Sequence, residues 1–149
     1  MFLNAELMNL LNIIEKMQSI HEKGGTCCDR LEEWKRPVYG WHNARFPPEY
    51  RQCCLSGKRF EMDASCDLYY VMACFYEKVT GRSAPHNFEF VRSWKSCILD
   101  CLKGWEQEEQ KAVIAMIANC TKRKDKRIGD AKMLLRKDFM KTVSKKTVQ

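Results

Sequence analysis

Hydrophobic residues recur at helical spacing from the start of the chain. Near the N-terminus, apolar positions alternate at intervals of four and three residues: Leu3, Leu7, Leu10, Ile14 and Met17. Such a spacing places the side chains on one face of an α-helix. The pattern therefore predicts a helix from about Asn4 to His21, which ends before the glycine pair at positions 24 and 25.

The same helical periodicity continues along the rest of the chain, and no alternating strand pattern competes with it. Long helices are predicted at 64–80, 88–103, 106–120 and 128–143, and short ones at 26–34 and 48–55. Asp63 and Asn87 are the expected N-caps of the helices that follow them, and Gly81 is the expected stop of the first. We therefore predict an all-α fold, a single-domain bundle of five to six helices spanning residues 1–149.

Residues 36–62 interrupt the helical pattern, because they contain five prolines and glycines: Pro37, Gly40, Pro47, Pro48 and Gly57. The segment is also rich in aromatic residues, which is unusual for a flexible linker: Tyr39, Trp41, Phe46, Tyr50 and Phe60. We expect an ordered Pro/aromatic-rich loop that packs on the helical body.

Positive charge collects at the C-terminal end. The whole chain has 26 Lys and Arg residues and 19 Asp and Glu residues. Residues 121–149 contain 11 of the basic residues and 3 of the acidic ones. This segment therefore has a formal net charge of +8, whereas the remaining 15 basic and 16 acidic residues of positions 1–120 leave −1. The pattern indicates a nearly neutral body with a basic C-terminal helix or tail at 121–149.

Clustered, flexible cations are typical of proteins that bind phosphate, since each cation displaces a condensed counterion. We therefore predict binding to the RNA or DNA backbone, with little dependence on base sequence. The proposed contacts are the basic residues of the last helix and of the junction before it: Lys122, Arg123, Lys124, Lys126, Arg127, Lys132, Arg136, Lys137 and Lys141. A nuclear-import signal and a solvated helix face remain as other interpretations of the same run.

The aromatic loop supports a second functional hypothesis, a protein–protein adaptor. Its side chains are of the types found as interface anchors, and the proposed docking residues are Tyr39, Trp41, Phe46 and Tyr50. The basic end would then bind an acidic protein partner. The apolar stripe of the first helix spans only about two heptads, which favours core packing and leaves a homodimer as the alternative.

Nine cysteines is a high and odd number. The N-terminus shows no export signal, so we expect reduced thiols inside a cell, in the cytoplasm or nucleus. Zinc-ligand residue types bracket the aromatic loop: Cys27, Cys28, His42, Cys53 and Cys54. Because they lack C-x-x-C spacing, buried thiols without a cofactor are the preferred interpretation and zinc is the alternative.

Two further classes of protein are disfavoured. No apolar run approaches the roughly 20 residues that a membrane-spanning helix needs. The chain has no Gly-rich phosphate loop, His-Glu-x-x-His motif or serine elbow, and nothing in the sequence supplies an orienting group for its histidines. We therefore expect a non-enzymatic binding protein that does not insert into a membrane.

Overall fold

The described part of this computed structural model, residues 2–27, 44–58 and 60–148, contains seven helices and no strand. The helices are α1 (Phe2–Glu22), α2 (Pro48–Ser56), α3 (Ala64–Thr80), α4 (Trp94–Cys101), α5 (Gln107–Cys120), α6 (Ala131–Leu135) and α7 (Asp138–Thr147). The predicted all-α class is thus confirmed. Among the described helices, none has the length and apolar character required to cross a bilayer. The helix predicted at 26–34 lies almost wholly outside the described residues.

Helix α3 lies at the centre of the fold and has the ends that the sequence predicts. The Asp63 carboxylate accepts a hydrogen bond from the backbone N–H of Cys66, and Gly81 adopts a left-handed φ of 69° at the C-cap. Its side chains Tyr69, Met72 and others are buried around most of the helix circumference. Helices α1, α4, α5 and α6 pack around it, and α7 packs on α5 and α1. Residues from these six helices form one core.

The helix predicted at 88–103 begins later than its sequence suggests. The Asn87 side chain accepts a hydrogen bond from the backbone N–H of Glu89, which forms an Asx turn rather than a helix N-cap. Residues 88–93 continue as turns, and α4 starts at Trp94. The Trp94 indole N–H donates to the backbone carbonyl of Phe88 over 2.9 Å, which ties the turn segment to the helix.

The single C-terminal helix predicted at 128–143 is wrong: α6 and α7 take its place. Lys137 has an extended backbone (φ −71°, ψ 144°) that redirects the chain between them. The redirection lets each short helix bury its own residues, Leu134 in α6 and Met140 in α7. Helix α6 packs mainly on α1, whereas α7 packs on α5 and α1. A straight helix could not satisfy both surfaces.

The described part of the aromatic loop packs on the helical body, as predicted. The rings of Phe46 and Tyr50 are buried in this contact and do not face solvent. Phe46 and Tyr50 form a second, smaller core cluster with Cys66, against which Phe60 and Tyr70 are packed. Both Phe46 and Tyr50 are only 3% exposed. Their assignment as docking residues is therefore wrong, because a buried ring is not available to a partner protein.

A buried polar contact joins three distant parts of the chain. His21 Nδ1 accepts a hydrogen bond from the backbone N–H of Ala131, the first residue of α6, so its other ring nitrogen carries the proton. That nitrogen, Nε2, donates to Asp67 of α3 over 2.7 Å, and the same carboxylate oxygen accepts from the backbone N–H of Cys27. The end of α1, α3 and the start of α6 are thereby held in register.

Candidate nucleic-acid interface

Two adjoining surface cavities bring together cations from separate parts of the chain. The cavities measure about 300 Å³ and 280 Å³ and share Glu89 and Thr121 in their walls. Arg92 and Lys95, from the segment around the start of α4, line the first cavity. Three more cations come from the junction after α5: Lys122 lines the first cavity, and Arg123 and Lys124 line the second. We call these two cavities with their five cations the cationic groove.

The first wall of the groove is held by aromatic packing. The ring of Phe88 contacts the rings of Tyr69, Tyr76 and Trp94 edge-on, with centroid separations of 5.5–5.8 Å. This packing anchors the turn segment 88–93 to the core, so Arg92 and Lys95 project from a fixed backbone. The N-terminal end of α4 also lies here, and its dipole favours an anion.

The second wall is the junction between α5 and α6. Helix α5 ends where the buried Thr121 hydroxyl donates to the carbonyl of Ile117 over 2.8 Å. The backbone N–H of Arg123 then donates to the Glu89 carboxylate, which joins the two walls across the groove. Lys122 Nζ donates to Asn119 Oδ1 over 3.0 Å, so its ammonium is positioned by a neutral group.

The charges of the groove favour an anionic ligand. Against the five cations stand two carboxylates, Glu49 and Glu89, and Glu49 is already paired with Arg127 beneath the surface. Arg123 and Lys124 also form ion pairs, with Asp125 at 3.1 Å and Asp63 at 3.5 Å, but their side chains are 63% and 55% exposed. Exposed pairs of this kind contribute only about 0–1 kcal/mol, so a phosphate can replace them.

Arg127 is the exception among the predicted phosphate contacts. It is only 6% exposed, and its guanidinium forms a two-point ion pair with the Glu49 carboxylate. The same group donates to the Ser65 hydroxyl over 3.2 Å and lies over the Tyr69 ring, 5.5 Å from its centroid. The prediction that Arg127 contacts phosphate is therefore wrong. Its Nη1 donates to the carbonyl of Lys122, so Arg127 supports the groove from below.

The other predicted contacts are exposed but lie apart from the groove walls. Lys126 is in the same junction, and the remaining four are on or between the last two helices: Lys132, Arg136, Lys137 and Lys141. None of these five lines either cavity. Lys141 lies 3.5 Å from the Asp138 carboxylate one helical turn away. The structure thus divides the basic end into a groove set and a separate helix set.

The predicted zinc ligands cannot be assembled from the described residues. Cys28 and His42 lie outside them, as do the adaptor residues Tyr39 and Trp41. Within residues 2–27, 44–58 and 60–148, no group of three or more Cys, His, Asp or Glu side chains has metal-site geometry. Cys27 packs against the main core and Cys53 is half-buried on α2. Zinc stays an untested alternative.

Sequence reasoning missed Arg92 and Lys95 as groove residues, and Phe90 beside them. The sequence places all three within the helix predicted at 88–103, and nothing in that pattern specifies the element that they face. Searches against models of protein families, curated proteins and solved structures find no match for this chain.

Proposed function

We propose that this chain is a non-enzymatic, intracellular protein that binds the phosphate backbone of RNA or DNA in the cationic groove. The observation that supports it most is the convergence of Arg92 and Lys95 with Lys122, Arg123 and Lys124 around two adjoining cavities. Five cations line a groove with two carboxylates in its walls, and the further pairs with Asp125 and Asp63 are exposed and weak. The electrostatic potential of such a site suits a polyanion.

The extent of the groove also suits a chain of phosphates better than a single small anion. Two adjoining cavities of similar size give a ligand room to extend across the shared Glu89 and Thr121. Backbone contacts of this kind position a nucleic acid without reading its bases. We therefore expect broad sequence tolerance and a strong dependence of affinity on salt.

The test is the affinity of the purified chain for labelled oligonucleotides across a series of salt concentrations. Each phosphate neutralised by the protein adds about −0.7 to the slope of log K against log[salt] for a single strand. Five contacts therefore predict a slope of about −3.5. A slope near zero, or no binding at 50 mM salt, would contradict the proposal.

A matched pair of variants tests where the nucleic acid binds. The groove variant changes four exposed cations to glutamine: Arg92→Gln, Lys95→Gln, Arg123→Gln and Lys124→Gln. The control removes the same charge from α7 and the link before it: Arg136→Gln, Lys137→Gln, Lys141→Gln and Lys145→Gln. We expect the groove variant to lose most of its affinity and to have a shallower slope, about −0.7 instead of about −3.5. The control should keep an affinity and a slope near the native values. If the control loses binding and the groove variant keeps it, the nucleic acid binds at α7 and the link before it and the groove assignment is wrong.

A further inference from the structure

Phe90 is an exposed aromatic residue in the wall of the cationic groove. It lines the second cavity together with Arg123 and Lys124, and its side chain is 77% exposed. Its sequence neighbour Phe88 is buried among core rings. The turn segment thus places one phenylalanine in the core and presents the other to solvent, next to the cations.

The backbone under Phe90 is held by hydrogen bonds. The N–H of Phe90 donates to the carbonyl of Asn87 over 3.2 Å, and the Asn87 carboxamide oxygen accepts from the N–H of Glu89. The ring therefore projects from a defined turn. Gln52 and Asn87 line the same cavity, and their side-chain amides are of a type that donates and accepts hydrogen bonds.

On this geometry we propose that the groove binds single-stranded nucleic acid, with an unpaired base stacked on the Phe90 ring while the cations contact the flanking phosphates. This inference rests on the proposed function and specifies its substrate. An aromatic ring beside cations is the combination used to bind single strands, because every base has a π-face. In a duplex those faces are covered by neighbouring base pairs, so Phe90 adds nothing to duplex binding.

The stacking contact has an expected size. Stacking of one base on an aromatic side chain corresponds to about 5- to 150-fold in affinity when the ring is removed. Phe90 carries no charge, so its removal leaves the number of phosphate contacts and the salt slope unchanged. This separates its effect from that of Arg123 or Lys124, whose removal changes the slope.

The experiment compares Phe90→Ala, Phe90→Leu and Phe90→Trp with the native chain. Affinities are measured by fluorescence anisotropy at 50 mM salt for 12-nucleotide oligo(dT) and oligo(U) and for a 12-base-pair DNA duplex. We expect Ala and Leu to weaken single-strand binding about tenfold or more and Trp to preserve it. Duplex binding and all salt slopes should stay the same. Leu55→Ala is the matched control, because Leu55 is 87% exposed on α2 and lines neither cavity.

The outcomes separate this inference from the proposal beneath it. If the groove variant loses binding while Phe90→Ala binds single strands as the native chain does, the phosphate site stands and the stacking assignment fails. Equal loss of single-strand and duplex affinity in Phe90→Ala, or a native chain that prefers the duplex, also overturns it. If the native chain binds no oligonucleotide, both proposals fail together. Ultraviolet crosslinking of 5-iodouracil DNA to Phe90, mapped by mass spectrometry, should give a direct contact.

Discussion

Arg127 and Arg123 differ by four positions in one basic run, yet they have opposite surroundings. Arg123 is mostly exposed, whereas the guanidinium of Arg127 lies between Glu49 of α2, Ser65 of α3 and the Tyr69 ring. A buried cation is costly unless it is paired and hydrogen-bonded. Arg127 meets both conditions, so it connects α2, α3 and the junction after α5.

Arg127→Met should destabilise the fold by about 3 kcal/mol, because it leaves the largely buried Glu49 carboxylate without its partner. Urea unfolding followed by circular dichroism measures this change. The double variant Arg127→Met with Glu49→Gln should recover part of the loss, since it removes the unpaired charge. Arg123→Met is the exposed control and should stay within about 0.5 kcal/mol of the native chain. Native-like stability of Arg127→Met would show that the ion pair does not hold the junction.

At the scale of elements, α3 and the C-terminal helices illustrate two kinds of boundary. The ends of α3 are specified locally, by the Asp63 carboxylate at one end and Gly81 at the other. The break between α6 and α7 has no glycine or proline in the sequence 131–143. The break lies at Lys137, because α6 packs mainly on α1 whereas α7 packs on both α5 and α1.

The cap at Asp63 should make stability depend on pH. Burial acts to raise the pKa of this carboxyl, but the Ser65 hydrogen bond, the Lys124 charge and the Cys66 N–H together hold its pKa below the ordinary value. A depressed pKa means that the ionised form stabilises the fold above the unfolded pKa of about 3.9, and that this contribution is lost as pH falls through the folded value.

Asp63→Ala should therefore be about 1 kcal/mol less stable than the native chain at pH 7, the usual effect of losing an N-cap. The difference should narrow when urea unfolding is repeated at pH 3. Asp63→Asn keeps an oxygen acceptor and should lose less at pH 7. Asp125→Ala removes an exposed carboxyl that caps no described helix and serves as the control. A difference that is constant from pH 7 to pH 3 would rule out the carboxylate as the cause.

For the whole molecule, the basic C-terminal segment is part of the core. Met140 and Val143 of α7 are 1% and 2% exposed, and Lys146 pairs with Glu109 of α5 at 3.3 Å while lying over the Trp105 ring. The Asn4 amide of α1 also donates to the carbonyl of Lys146. Deletion of residues 121–149 would thus remove part of the core, so it is an unsuitable test of nucleic-acid binding.

Met140→Ala should lower the free energy of unfolding by about 2–5 kcal/mol, because it opens a cavity between α7 and the body. Lys141→Ala, the next residue and exposed, should change it by no more than about 0.5 kcal/mol. Thermal unfolding of both variants provides the measurement. If both variants unfold at the native temperature, α7 does not pack on the core in solution.

The sequence by itself determined the features that depend on neighbours within a few residues. The apolar stripe of α1, the caps of α3 and the acidic first turn of α5, which contains Glu108 and Glu109, specify helices locally. Helical contacts and capping bonds join residues three or four apart. The collection of charge after residue 120 is likewise a property of composition.

Only the tertiary structure decided which of those charges reach solvent and what they face. Arg127 pairs with the carboxylate of Glu49, which is 78 positions away in the sequence. Arg92 and Lys122 line the same cavity although they come from different segments of the chain. The assignment of Phe90 to the surface and Phe88 to the core depends in the same way on Tyr69, Tyr76 and Trp94. The physical reason is that the burial of a charge or a ring is determined by partners that the folded chain brings close, and periodicity carries no information about them.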